Sequence, residues 1–111
     1  MKRGAPRRRG AGGRPAGPVY RLRLYVAGQS PRSMAALDNL HRLCETHLDG
    51  RCRVEVVDLL ERPDRARRDQ IIAIPTLVRV SPLPMRRLVG DLSDSARVLT
   101  GLELQPVQRE R

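Results

Sequence analysis

Neither phenylalanine nor tryptophan occurs in the 111 residues, and the aromatic side chains are two tyrosines. A hydrophobic core must therefore come from Leu, Val, Ile and Ala, an adequate but not generous set for one domain of this length. Single-stranded nucleic acid is bound largely by stacking bases on aromatic rings, so the body of this chain is poorly equipped for it. Long apolar runs are missing as well. None approaches the roughly 18 residues that cross a bilayer, and the Arg/Gly/Pro-rich N-terminus supplies no signal-peptide core. The expected location is cytoplasmic, without membrane contact.

Cysteine is scarce. Cys44 and Cys52 are not spaced as C-x-x-C, and a reducing cytosol disfavours a structural disulfide. Cys44 is expected as a buried free thiol on the apolar side of a helix. A metal site from His41, Cys44, His47 and Cys52 is disfavoured, because helical spacing groups positions 41, 44 and 48 and swings 47 aside. No metal and no cofactor is expected.

Positive charge is what the chain has in excess, formally +10. Residues 1–18 hold Lys2, Arg3, Arg7, Arg8, Arg9 and Arg14 with no acid, which is +6; the rest has 16 basic and 12 acidic residues, which is +4. The expected organisation is a disordered basic arm over 1–18, a folded domain over 19–104 and a frayed tail over 105–111. Such an arm can bind nucleic acid or anionic lipid through phosphate contacts, although this is not the favoured function.

Val19–Ala27 alternates, with Tyr20, Leu22 and Leu24 on one side and Arg21, Arg23 and Tyr25 on the other, which predicts a strand ended by Gly28. Ser30-Pro31 is an N-cap followed by proline at the first helical position, and Met34, Leu37, Leu40, Cys44 and Leu48 give an apolar stripe up to Asp49-Gly50. Arg53–Leu59 predicts a second strand, parallel to the first. Pro63 starts a short Arg-rich helix, after which Ile71, Ile72 and Ile74 are expected to return to the core.

The organising stretch is Ile74–Asp94. Two short strands, Thr76–Val80 and Met85–Val89, are joined by Ser81-Pro82-Leu83-Pro84, where prolines forbid an uninterrupted strand. Pro75, leading into a strand from a tight turn, has the usual setting of a cis bond, while any X-Pro bond taken alone is expected trans. Leu92–Leu104 is ambiguous. Ala96, Leu99 and Leu102 fit a helix capped by Asp91 or Ser93, whereas Val98, Thr100, Leu102 and Leu104 fit period two.

The order β-α-β-α-β-β-α matches an α/β, thioredoxin-like layout, a mixed sheet with helices on both faces. The place of the thioredoxin dithiol holds Ser30-Pro31-Arg32-Ser33, and a hydroxyl cannot replace a thiol in disulfide exchange, so an enzyme of that type is not expected.

Leu24-Tyr25-Val26-Ala27-Gly28, Pro75-Thr76-Leu77, the run PLPMRRLVGDLSD from Pro82 to Asp94 and Gly101-Leu102-Glu103 together resemble the KaiB family, circadian clock proteins and their relatives outside the clock. The resemblance covers about residues 20–104. It implies a non-enzymatic regulatory adaptor that binds a KaiC-type hexameric ATPase, and a homo-oligomer, dimer or tetramer, when free. It also implies a metamorphic C-terminal half with two alternative packings, one of them thioredoxin-like. By matching position, Gly101 and Glu103 fall where the family's fold balance is set, in the half that holds Pro75, Pro82 and Pro84. Tyr20, Arg79, Arg86 and Arg87 match residues of the partner-binding or self-assembly surface.

Departures from the resemblance are the basic RPDRARRD segment over residues 62–69, Ala35 in place of a basic residue, the basic arm, and no acidic C-terminal tail. They favour a role with a KaiC-like ATPase in stress adaptation over a true circadian one. The alternatives are a nucleic-acid-binding protein led by its arm, and a redox-inactive thioredoxin-fold interaction module.

Overall fold

The structure is a computed structural model and describes residues 17–107. Seven elements follow in the order β1 (Tyr20–Val26), α1 (Pro31–His47), β2 (Cys52–Asp58), α2 (Pro63–Arg68), β3 (Thr76–Ser81), β4 (Arg86–Val89) and α3 (Ser95–Gly101). One mixed sheet carries the strands in the order β2-β1-β3-β4. β1 pairs with β2 in parallel and with β3 antiparallel, and the proline turn folds β4 back on β3.

Alternation along β1 decides what each face of the sheet receives. Tyr20, Leu22, Leu24 and Val26 point to the side covered by α1 and α3, where they meet Ala36, Leu40, Leu43, Val98 and Leu102. Tyr25 points the other way with Val57 and Val78, beneath Leu59, Ile71 and Ala66 of the α2 region. α1 starts as its sequence dictates. Ser30 accepts from the Ser33 backbone N–H, Pro31 occupies the first turn, and the chain leaves through Asp49 and Gly50 at positive φ.

Three apolar assignments differ from the sequence reading. Met34 is exposed, because the buried side of α1 runs through Ser33, Ala36, Leu40, Leu43 and Cys44. Ile72 is 97% exposed and Ile74 half exposed, while Ile71 alone of the three is buried. The chain turns outward after Gln70, itself at positive φ, before the buried Pro75 leads into β3.

The ambiguous C-terminal segment is helical. Asp94, rather than Asp91 or Ser93, caps α3 by accepting from the Arg97 N–H. Val98 and Leu102 reach the core, and Ala96 stays outside. Residues 105–107 are docked rather than frayed: the Gln105 N–H donates to the Tyr20 hydroxyl at 2.8 Å and the Val107 N–H to the His47 carbonyl at 2.8 Å. The Ile74-Pro75, Ser81-Pro82 and Leu83-Pro84 bonds are all cis, against the trans expectation for the last two. Residues 1–16, most of the expected basic arm, and 108–111 lie outside the described residues.

Candidate interaction surface

Where β1 hands over to α1, Ser30 and Ser33 form a closed hydroxyl pair with Oγ atoms 2.9 Å apart. Ser33 Oγ also accepts from the Ala27 N–H, so both hydroxyls are spent on the cap and the loop. Cys44 and Cys52 lie far along α1 and at the start of β2, where the neighbouring Cys52 thiol and burial push Cys44 up. Cys52 moves down because Cys44 donates to it and Arg51 is close. Among the described residues no group of acids, histidines and cysteines is arranged to hold a metal ion.

This end of the sheet is apolar on its outside. Leu60 is 71% exposed and Ile72 97%, and both sit on connections that leave the C-terminal end of β2 or lead into β3. Met34 on the first turn of α1 and Ile74 beside Pro75 add to them. At the opposite end of the sheet, beside the start of β1, the proline turn presents Leu83 and Met85, with the exposed Arg86 and Arg87 following on β4. Exposed apolar side chains grouped on loops, as Leu60 and Ile72 are at one end and Leu83 and Met85 beside two cations at the other, are the composition of protein-contact surfaces. Sequence reasoning missed Leu60 and put Ile72 in the core, because the outward turn at Gln70 leaves no periodic signal.

The residues matched by resemblance separate into two groups. Arg86 and Arg87 are exposed, on opposite faces of β4. Arg86 pairs with the Glu103 carboxylate at 3.2 Å. Arg87 donates to the Gln70 and Asp69 carbonyls at 2.8 and 3.2 Å and so ties β4 to the end of α2.

Tyr20 and Arg79 are inside, 1% and 5% exposed, and neither offers a surface in this fold. Arg79 donates to the Pro84 carbonyl at 2.8 Å and the Glu103 carbonyl at 3.3 Å, while its Nε is buried without a partner among the described residues. It therefore fastens the proline turn to the end of α3. Gly101 closes α3 against β4, where an added Cβ would lie 3.3 Å from Leu88 Cδ1. Pro75 is buried and its carbonyl accepts from the Gly90 N–H, whereas Pro82 and Pro84 are exposed in the turn.

A second buried arginine had no signature in the sequence. Arg51 donates to the Pro18 and Gln105 carbonyls, both at 2.8 Å, and lies over the Tyr20 ring at 5.9 Å from its centroid. On the α2 side, the Tyr25 hydroxyl donates to Asp69 at 2.6 Å, and Arg65 and Arg68 add their guanidinium groups. Tyr25 first, then Arg65 and Arg68, hold the Asp69 carboxyl down to about 2, and burial raises Tyr25.

Comparison with known proteins agrees with this geometry. Residues 23–104 match the family model described as the KaiB domain. The chain is 49% identical over 86 residues to the circadian clock oscillator protein KaiB of Prochlorococcus marinus strain MIT 9211, covering 78% of this chain and 75% of that one. It is 42% identical over 85 residues to the circadian clock protein KaiB3 of Synechocystis, covering 77% and 83%. Among solved structures, the N-terminal domain of Synechococcus elongatus SasA superposes with a TM-score of 0.64 at 17% identity, covering 91% and 99% of the two chains. Yeast mitochondrial thioredoxin 3 gives 0.61 at 17% identity over 78% of each. These two likenesses establish the thioredoxin-like fold.

Proposed function

The chain belongs to the KaiB family, and on that premise we propose that it is a non-catalytic regulatory adaptor that binds a KaiC-type hexameric ATPase and modulates it in clock-related or stress signalling. The observation that carries this reading is the family match over nearly all of the folded body. The serine pair supports it, since a thioredoxin-like fold with both hydroxyls committed to a helix cap has no exchange chemistry at that place. Leu60 and Ile72 at one end of the sheet, and Leu83 and Met85 beside Arg86 and Arg87 at the other, offer apolar area for a protein partner, with the arginines supplying orientation at the second.

Within the same proposal, β3 to α3 is the half whose packing changes, with Gly101, Glu103, Pro75, Pro82 and Pro84 in it. In the present packing both Arg79 and Arg86 end on Glu103, one on its carbonyl and one on its carboxylate. The free protein self-assembles, as a dimer or tetramer, through the surface the ATPase would otherwise cover.

Size exclusion with light scattering tests this directly. The protein is run alone and with the KaiC-type ATPase of the same genome, with and without ATP. Nucleotide-dependent co-elution is the expected result. No complex under any nucleotide condition, even after overnight incubation, refutes the partner assignment.

A further inference from the structure

Cys44 and Cys52 belong to neither surface described above, and folding brings them onto each other. Cys52 opens β2 as the register partner of Tyr20, and partners in a parallel ladder project to the same face, so Cys52 looks toward α1. Cys44 lies near the C-terminal end of α1, buried in the cluster against which Cys52 packs. The connection between them is drawn tight. The Leu48 and Gly50 N–H groups both donate to the Cys44 carbonyl, at 3.2 and 3.0 Å, and the Arg51 N–H donates to the Leu48 carbonyl at 2.9 Å. The chain thus doubles back within residues 45–51 and returns Cys52 to the residue it left, where the Cys44 thiol donates to the Cys52 sulfur.

Both thiols are free, and among the described residues no acid or histidine joins them in a metal-holding group. What two adjoining thiols can do by themselves is bond to each other. Their surroundings give them different parts. Cys44 is 7% exposed, and the Cys52 contact and burial both favour its protonated form. Cys52 is only partly buried, on the outermost strand of the sheet, and the Cys44 donor and the Arg51 cation favour its thiolate. The thiolate is the nucleophile of disulfide exchange, so the accessible sulfur reacts first and the buried one already points at it. A reducing compartment disfavours a permanent structural bridge and is compatible with a transient one.

We propose that Cys44 and Cys52 form a reversible dithiol site that an oxidised low-molecular-weight thiol converts to an intramolecular disulfide, with Cys52 as the entry sulfur and Cys44 as the resolving one. Cys52 Sγ, deprotonated, attacks one sulfur of a glutathione-type disulfide, forms a mixed disulfide and expels one thiolate. Cys44 then loses its proton to solvent, and its Sγ attacks Cys52 Sγ, forms the internal bond and expels the second thiolate. The two cysteines give up two electrons, and the added disulfide is reduced to two thiols. The product staples the end of α1 to the start of β2, next to the Arg51 clamp. This site goes beyond the adaptor reading and does not depend on it.

The test incubates the full chain, folded and reduced, with oxidised glutathione and follows it by intact-mass spectrometry and non-reducing denaturing electrophoresis. The expected end product is a single chain lighter by two hydrogens, with no glutathione retained, and dithiothreitol restores the starting mass. Its melting temperature is expected to rise by about 5 °C or more, because the bridge closes a loop of the unfolded chain. Cys44→Ala is expected to stop with one glutathione on Cys52, and Cys52→Ala to react about tenfold more slowly through the buried Cys44. Circular dichroism checks that each variant is folded, and if one is not, the unmutated chain decides alone. The proposal is overturned if that chain ends with glutathione on either cysteine, if it stays a dithiol, or if its disulfide joins two chains. It is overturned equally if Cys52→Ala reacts as fast as Cys44→Ala, or if the oxidised chain melts no higher than the reduced one.

Discussion

On the α1/α3 side of the sheet, Tyr20, Leu22, Leu24, Leu40, Leu48, Leu77, Val98 and Leu102 are all essentially excluded from water. On the α2 side the fully covered set shrinks to a few residues around Tyr25 and Val78, and a network of Tyr25, Asp69, Arg65, Arg68 and Arg87 takes the place of further apolar contact. The first side depends on volume filled, so it is sensitive to lost methylenes. The second depends on charge and donor geometry, so it is sensitive to pH and salt. A six-residue helix cannot cover four strands, and the surface it leaves open is free to carry charge.

The comparison breaks most easily by making cavities. Leu40→Ala, at a fully buried position of α1, is expected to lower stability by about 3 kcal/mol in urea unfolding, whereas Val57→Ala on the α2 side costs about 1.5 kcal/mol. Equal losses would mean that the two sides are packed alike.

Arg79→Ala strips two carbonyls of their donor and empties the space between the proline turn and α3, with an expected loss of about 2 kcal/mol. Arg79→Met fills that space and removes a buried charge without a carboxylate, and is expected to cost less than half as much.

Acid sharpens the contrast from the other side. The Asp69 carboxyl is held below its ordinary value, to about 2, so its contribution is complete above about pH 4 and is lost as pH falls toward 2. Roughly 1 kcal/mol of acid-dependent stability remains after solvent screening, and Asp69→Asn removes that part of the pH profile measured by denaturation. The smallest effect belongs to Gly101→Ala. Greater helix preference at the end of α3 is offset by the 3.3 Å approach to Leu88 Cδ1, a side-chain end that can move, and the net change is within about 0.5 kcal/mol.

Much of this fold was legible in the sequence. The alternation of Tyr20, Leu22 and Leu24 against Arg21, Arg23 and Tyr25 placed β1 between two cores, and Ser30-Pro31 located the start of α1. The segment from Thr76 to Val89 declared a hairpin through its prolines. What was not legible depended on distant partners. Helix won over strand at Val98–Gly101 because Val98 and Leu102 share the core with β1 and α1, a tertiary outcome that two overlapping periodicities could not rank. Arg51 looked like any other arginine in a basic chain and Arg79 was marked, by resemblance, for a surface; the burial of both follows from carbonyls at Pro18, Gln105, Pro84 and Glu103 that no local pattern brings together.

The Arg51 clamp bears on how this chain can be rewired. Pro18 and Gln105 sit on two nitrogens of one guanidinium, so the start and finish of the folded body are neighbours and the backbone nearly closes into a ring. A linker of a few residues could join them, and fresh ends could be cut at the exposed tip around Leu83, giving a circular permutant in which β1 and α3 become sequence neighbours. Residues 18 and 105 thus share one corner of the folded body, so a label attached at one of these positions reports on the surroundings of the other.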